Sequence, residues 1–145
     1  MPNIRYSKNE HAALIHSFEL YIGATLPDDY KTFLIEERFA EYSPGIFEFA
    51  EGNMPIDTTI RFFYNMNPED EYRSIYPQTD LFKDHFPDRT IIPIVTDDGG
   101  GRFVMEHQDG IWTGVFFTDF WSGYNDYLKV ADSFTEFLNG IRLAD

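Results

Sequence analysis

Two glycine-bearing breaks divide the last third of the chain and fix its local topology. Ile91 to Thr96 is rich in β-branched residues and ends in Asp97-Asp98-Gly99-Gly100-Gly101. Arg102 to His107 follows and ends in Gln108-Asp109-Gly110, and Ile111 to Phe117 completes the set. Each break carries the glycine that a tight reversal with positive φ demands. Runs joined this closely cannot be parallel neighbours, because a parallel crossover needs a dozen or more residues. The segment therefore predicts an antiparallel meander. Pro93 lies inside the first run and removes a ladder donor, so that strand is expected at an edge or with a bulge.

Helices are expected before and after this sheet. Leu14, Ile15, Phe18, Tyr21 and Ile22 recur at helical spacing within Lys8 to Ile22, and Gly23 stops the pattern. Thr25-Leu26-Pro27-Asp28-Asp29-Tyr30 reads as a second start, with Thr25 and Asp28 as a capping pair and acids at the positive end of the helix dipole. Tyr30, Phe33 and Leu34 give that helix its apolar stripe, and it should run to about Glu37. Ser133 with Glu136 caps a closing helix marked by Phe134, Phe137, Leu138 and Ile141. Between these lie the Ser43-Pro44-Gly45 turn, a strand from Ile46, a turn at Glu51-Gly52-Asn53 and a strand from Thr58 to Tyr64. Glu71 to Phe86 is broken by Pro77 and holds a short helical piece, and Thr118 to Lys129 reads as loop. The expected fold is one α+β domain over residues 1–145, a mostly antiparallel central sheet flanked by N-terminal and C-terminal helices.

Charge narrows the partners. The net charge is −14 and the pI about 4.4, with the acids spread along the chain rather than gathered in a tail. Such a surface repels nucleic acid and anionic membranes and speeds encounter with basic proteins. There is no cysteine, which removes disulfides, thiol catalysis and Cys-ligated metal centres. The absence of disulfide staples, of a signal-like apolar region at Met1 to Lys8 and of a membrane-length apolar stretch points to a soluble, cytoplasmic protein.

The chemistry-bearing candidates are few. Asp97 and Asp98 beside three glycines are compatible with a metal loop, a partner-contacting loop or a plain turn; the spacing of a calcium loop is missing, and so is that of a phosphate loop. His11 and His16 are five apart, off a common helix face, and His85 and His107 stand alone. No serine sits in a nucleophile elbow. A carboxylate pair such as glycosidases use is a matter of spatial separation, and nothing specific in the sequence marks one. Trp112 reads as core. Trp121 and Tyr124, in a loop between Asp119 and Asp126, suit either a cover for the sheet end or a hot spot against a basic surface.

Three ordered motifs resemble the SUKH superfamily, in the branch of the yeast cell-wall-assembly regulators and bacterial toxin-immunity proteins. They are Leu26-Pro27-Asp28-Asp29-Tyr30 with Phe33-Leu34, then Asp98-Gly99-Gly100-Gly101 after Ile92-Pro93-Ile94, then Ser133-Phe134-Thr135-Glu136-Phe137-Leu138. Glu19 matches an acid that the family often carries in its first helix. The chain departs from the pattern after the second helix, where only Pro44-Gly45 remains of a glycine turn, and at Arg102, where the family often has an acid or amide. The resemblance implies a SUKH-like α+β fold and a non-enzymatic immunity protein that occludes a basic toxin domain, with a nuclease as the expected class, whose phosphate cleft the acidic surface would fill by mimicking nucleic-acid charge. It implies neither cofactor nor metal, and a monomer or weak homodimer. The partner-facing candidates are Asp97, Asp98, Asp119, Trp121, Tyr124 and Asp126. The alternatives are a regulatory interaction module like the fungal relatives, and a metal-binding protein or enzyme using Asp97 and Asp98.

Overall fold

The computed structural model describes residues 6–119, 123–124 and 126–143. Helix α1 spans Lys8–Ile22. Ser7 and Glu10 form a reciprocal capping box at its start, and Gly23, with φ of 73°, closes its end. Helix α2 is Asp28–Ile35, followed by a 3-10 turn at Arg38–Glu41. Strands β1 (Gly45–Glu51) and β2 (Met54–Phe63) form the first hairpin. Helix α3 (Ile75–His85) precedes β3 (Thr90–Asp97), β4 (Gly101–Gln108) and β5 (Ile111–Asp119). Strand β6 (Tyr127–Ala131), helix α4 (Phe134–Asn139) and strand β7 (Ile141–Leu143) complete the order.

The fold is α+β, as expected. One seven-stranded sheet runs β6-β5-β4-β3-β2-β1-β7, and every pairing is antiparallel. Six strands are a meander; the seventh returns to the outer side of β1. The sheet is strongly curled. Three strands separate β1 from β5, which in a flat sheet would hold them roughly 19 Å apart at about 4.8 Å per strand. Yet the rings of Phe49 and Phe117 are 4.9 Å apart, and those of Phe47 and Phe103 are 5.3 Å apart. The inner face is thus an aromatic core. Phe137 of α4 packs against Phe47 at 5.0 Å and Phe103 at 4.9 Å. Tyr30 and Phe33 of α2 meet Phe134 at 4.9 and 5.1 Å. Helix α3 covers the other face, where Phe82 clusters with Ile91, Val104 and Tyr124.

Several local expectations change. Pro93 is not in an edge strand; β3 is the middle strand, and the bulge alternative holds. Pairing with β2 stops at Val95 and the Tyr64 N–H to Ile94 carbonyl bond, so Pro93 lies beyond it, and the β3–β4 register shifts right after Pro93. Pro77 does not break a helix; it falls in the first turn of α3, where its missing N–H is not needed, and Ser74 caps that turn. Thr25 does not cap α2. Pro27 occupies the cap position without a side-chain bond. Ile141 leaves the closing helix for β7, where it lies opposite Phe47. Tyr127 to Lys129, read as loop, are strand.

Candidate functional site

Antiparallel order gathers three turns at one end of the sheet. The β1–β2 turn follows Glu51, the β3–β4 turn follows Asp97, and the β5–β6 connection follows Asp119. Gly101 lies directly opposite Asp119 in the β4–β5 register. Asp97-Asp98 and Asp119 are therefore neighbours in space, and the Thr118–Tyr127 pair sets Asp126 at the same end.

Their residues divide by role. Asp97 is only 7% exposed. Its carboxylate accepts from the Gly99 N–H at 2.9 Å, the Gly101 N–H at 2.6 Å and the Thr58 hydroxyl at 2.5 Å. The glycines differ as well. Gly100 has φ of 88°, whereas Gly101 is needed for space: a Cβ there would lie 2.5 Å from Asp97 Oδ2 and 2.6 Å from the Phe117 ring. Tyr124 is buried, has φ of 63° and packs on Phe82 at 4.8 Å and His85 at 5.6 Å. Asp97 and Tyr124, both expected to face a partner, are buried and shape the turn end through contacts with the fold's own groups. Asp98 and Asp126 are exposed and Asp119 is half-buried. Trp121 lies outside the described residues.

Several side chains with possible chemistry are held in structural bonds. Arg102 donates to Gln78 at 3.1 Å and to the Thr96 hydroxyl at 2.9 Å, tying β4 to α3. His11 faces Glu37 at 3.0 Å, and Glu37, with φ of 52°, has left the helix surface to receive the Tyr6 N–H as well. The largest buried charge group was not legible as a site. Glu106, 2% exposed, receives Arg89 through two bonds of 2.8 and 2.7 Å, the Tyr127 hydroxyl at 2.8 Å and the Gln108 amide at 3.0 Å. Arg89 also lies over the Phe86 and Tyr127 rings, 4.7 Å from each. Burial pushes the Glu106 carboxyl up, but the Arg89, Gln108 and Tyr127 bonds and the Arg89 charge outweigh it and hold the carboxyl below its ordinary value. Burial and the Glu106 bond push the Tyr127 phenol far up. The sequence signal was an acid at position 106, two residues from Val104 and so on the same face of β4, the one that α3 covers. Among the described residues no group of three or more His, Asp or Glu side chains gathers as a metal would require.

The segment Leu26 to Tyr30 is a junction. The Leu26 N–H donates to Glu19 at 2.7 Å, the Trp112 indole donates to the Thr25 carbonyl at 2.7 Å, and Asp29 receives the Thr135 N–H and hydroxyl at 2.9 and 2.8 Å. One short stretch thus binds α1, β5 and α4. The motif that looked most distinctive in the sequence is the point where the scaffold is fastened.

A model of the SMI1 / KNR4 family (SUKH-1) matches residues 11–140. The chain belongs to that family. The match takes in all three motifs, from the SUKH-1 junction at Leu26 to the helix that begins at Phe134. No curated protein and no solved structure gives a significant match. No helix among the described residues is long and apolar enough to cross a membrane.

Proposed function

We propose that this SUKH-1 chain is a cytoplasmic, non-enzymatic immunity protein that binds and occludes a basic toxin domain, a nuclease being the class that its charge fits best. The observation that carries this reading is the turn end of the sheet. The strand registers set Asp98, Asp119 and Asp126 at one end of the sheet, where the buried Asp97 carboxylate holds the β3–β4 turn in shape. A nuclease offers a cationic cleft for phosphates, and a fixed array of carboxylates can fill it. With −14 charges on 145 residues, encounter with such a cleft is steered over long range.

The test is co-expression with the toxin domain encoded beside this gene. Protection of growth, with a purified one-to-one complex whose association rate falls steeply with salt, supports the reading. A stable complex that leaves the domain's activity intact points instead to a regulatory module. Absence of both protection and complex removes the immunity role.

A further inference from the structure

The inner face of the curled sheet is covered unevenly. Helix α4 sits over Phe47 and Phe103 through Phe137. Towards the turn end the same face continues through Phe49, Phe117 and Ile56, all half-buried, to Met54, which is 66% exposed. The register makes this one surface: Phe47 is opposite Thr58, Phe49 opposite Ile56 and Glu51 opposite Met54. The hairpin also outruns its neighbours. Strand β3 joins β2 only from Ile60 onward, and β7 joins β1 only as far as Phe47. The pairs from Glu48–Asp57 to Glu51–Met54 project as a two-stranded arm, pinned at its base by Phe49 on Phe117 and by Thr58 on Asp97.

We propose that the inner face of this arm is where the basic partner docks, and that it takes an apolar side chain flanked by lysines or arginines. This deepens the binding role proposed above and rests on it. Met54, Ile56 and Phe49 receive the apolar group. Glu51 on the arm and Asp98 and Asp119 on the neighbouring turns meet the flanking cations. Charge complementarity selects the occupant: the stretches Glu51–Met54, Asp97–Gly101 and Asp119–Asp126 contain no lysine or arginine. An exposed apolar anchor inside a charged rim is the arrangement that concentrates binding strength in few residues.

Two measurements decide it. In the first, amide chemical shifts are followed while a short peptide alternating leucine and lysine is titrated in, with oligolysine as the control. Shifts confined to residues 49–57 and 98–102, and larger with the leucine-bearing peptide, support the proposal. Shifts spread evenly over the acidic surface, or equal for both peptides, overturn it. In the second, the neighbour-encoded toxin domain is bound by wild type, by Met54→Lys and by Asp80→Lys/Asp84→Lys on the exposed side of α3. The proposal expects Met54→Lys to weaken binding by about a hundredfold, as loss of a central anchor does, and the α3 variant to lose about threefold or less at moderate salt. An unchanged affinity for Met54→Lys, with normal thermal unfolding, rejects the arm while the immunity role stands. No binding by wild type rejects the immunity role, and the peptide titration then decides the arm alone.

Discussion

Three consecutive glycines look equivalent until each is asked what it would do with a methyl group. Gly99 has only Asp97 Oδ1 within reach, at 3.9 Å, whereas Gly101 faces the Asp97 carboxylate and the Phe117 ring at about 2.5 Å. Gly101→Ala should therefore destabilise the fold by about 1–3 kcal/mol through overpacking, and Gly99→Ala should stay within about 0.5 kcal/mol of wild type; chemical denaturation of the two variants checks the contrast. Glu106 makes a second residue-scale prediction. Its folded-state pKa is lowered, so its stabilisation is in place above the ordinary carboxylate range and is lost as pH falls through the depressed value. Glu106→Gln should cost about 1.5–3 kcal/mol near neutral pH. The gap to wild type should narrow as the solution is acidified below about pH 4. A gap independent of pH would mean that packing, and not the ion pair with Arg89, holds that region. The sequence showed Asp97 and its glycines as a turn but could not say that Asp97 was buried, because a carboxylate's neighbours across strands are invisible to a local pattern. Glu106 was illegible for the same reason: Arg89 and Tyr127 reach it from other elements.

Elements were legible where one local signal acted alone. The helical spacing of Leu14, Ile15, Phe18, Tyr21 and Ile22 and the glycine stop at Gly23 gave the span of α1 from Lys8 to Ile22. They were misread where tertiary bonds took over. Thr25 has the side chain of a cap, but its carbonyl is held by Trp112 and the chain enters α2 through Pro27. Strand β6 was missed because Tyr127 to Ala131 is short and follows a long turn-rich stretch, and β7 because three residues carry no periodicity. Both outer strands end the sheet safely. Each is brief and bears a cation fixed by an acid, Lys129 with Asp132 and Arg142 with Glu48, a combination that resists edge-to-edge pairing. The join between α2 and α4 is also testable. Asp29→Ala removes two acceptor bonds to Thr135 and one to the Tyr30 N–H, so it should lower stability by about 1–2 kcal/mol. Hydrogen exchange should rise at Thr135 and Glu136 ahead of the central strands, and a uniform rise would refute the local junction.

For the whole molecule, composition bears on long-range encounter more than on shape. The charge of −14 fixes a long-range field whichever way the sheet bends. Association with a basic toxin domain should therefore slow by about tenfold or more as ionic strength is raised from low to physiological, while dissociation changes little. Stopped-flow mixing at several salt concentrations measures both, and an association rate indifferent to salt would remove steering from the account. The curl, in contrast, had no sequence signature. It arises where Phe47, Phe49, Phe103 and Phe117 meet from strands far apart in order. Its closure has a consequence for how the molecule is made. The last strand, Ile141 to Leu143, pairs with residues 45–47, across almost two thirds of the chain. Loops that long close slowly, and contacts at such separation govern folding rate. On the ribosome the first hairpin would emerge early and wait, its aromatic side uncovered, until α4 and β7 had cleared the exit tunnel. Protein synthesis, then, is the period in which this chain is most exposed to aggregation, and variants that weaken the C-terminal closure should show first as poor yield from cells.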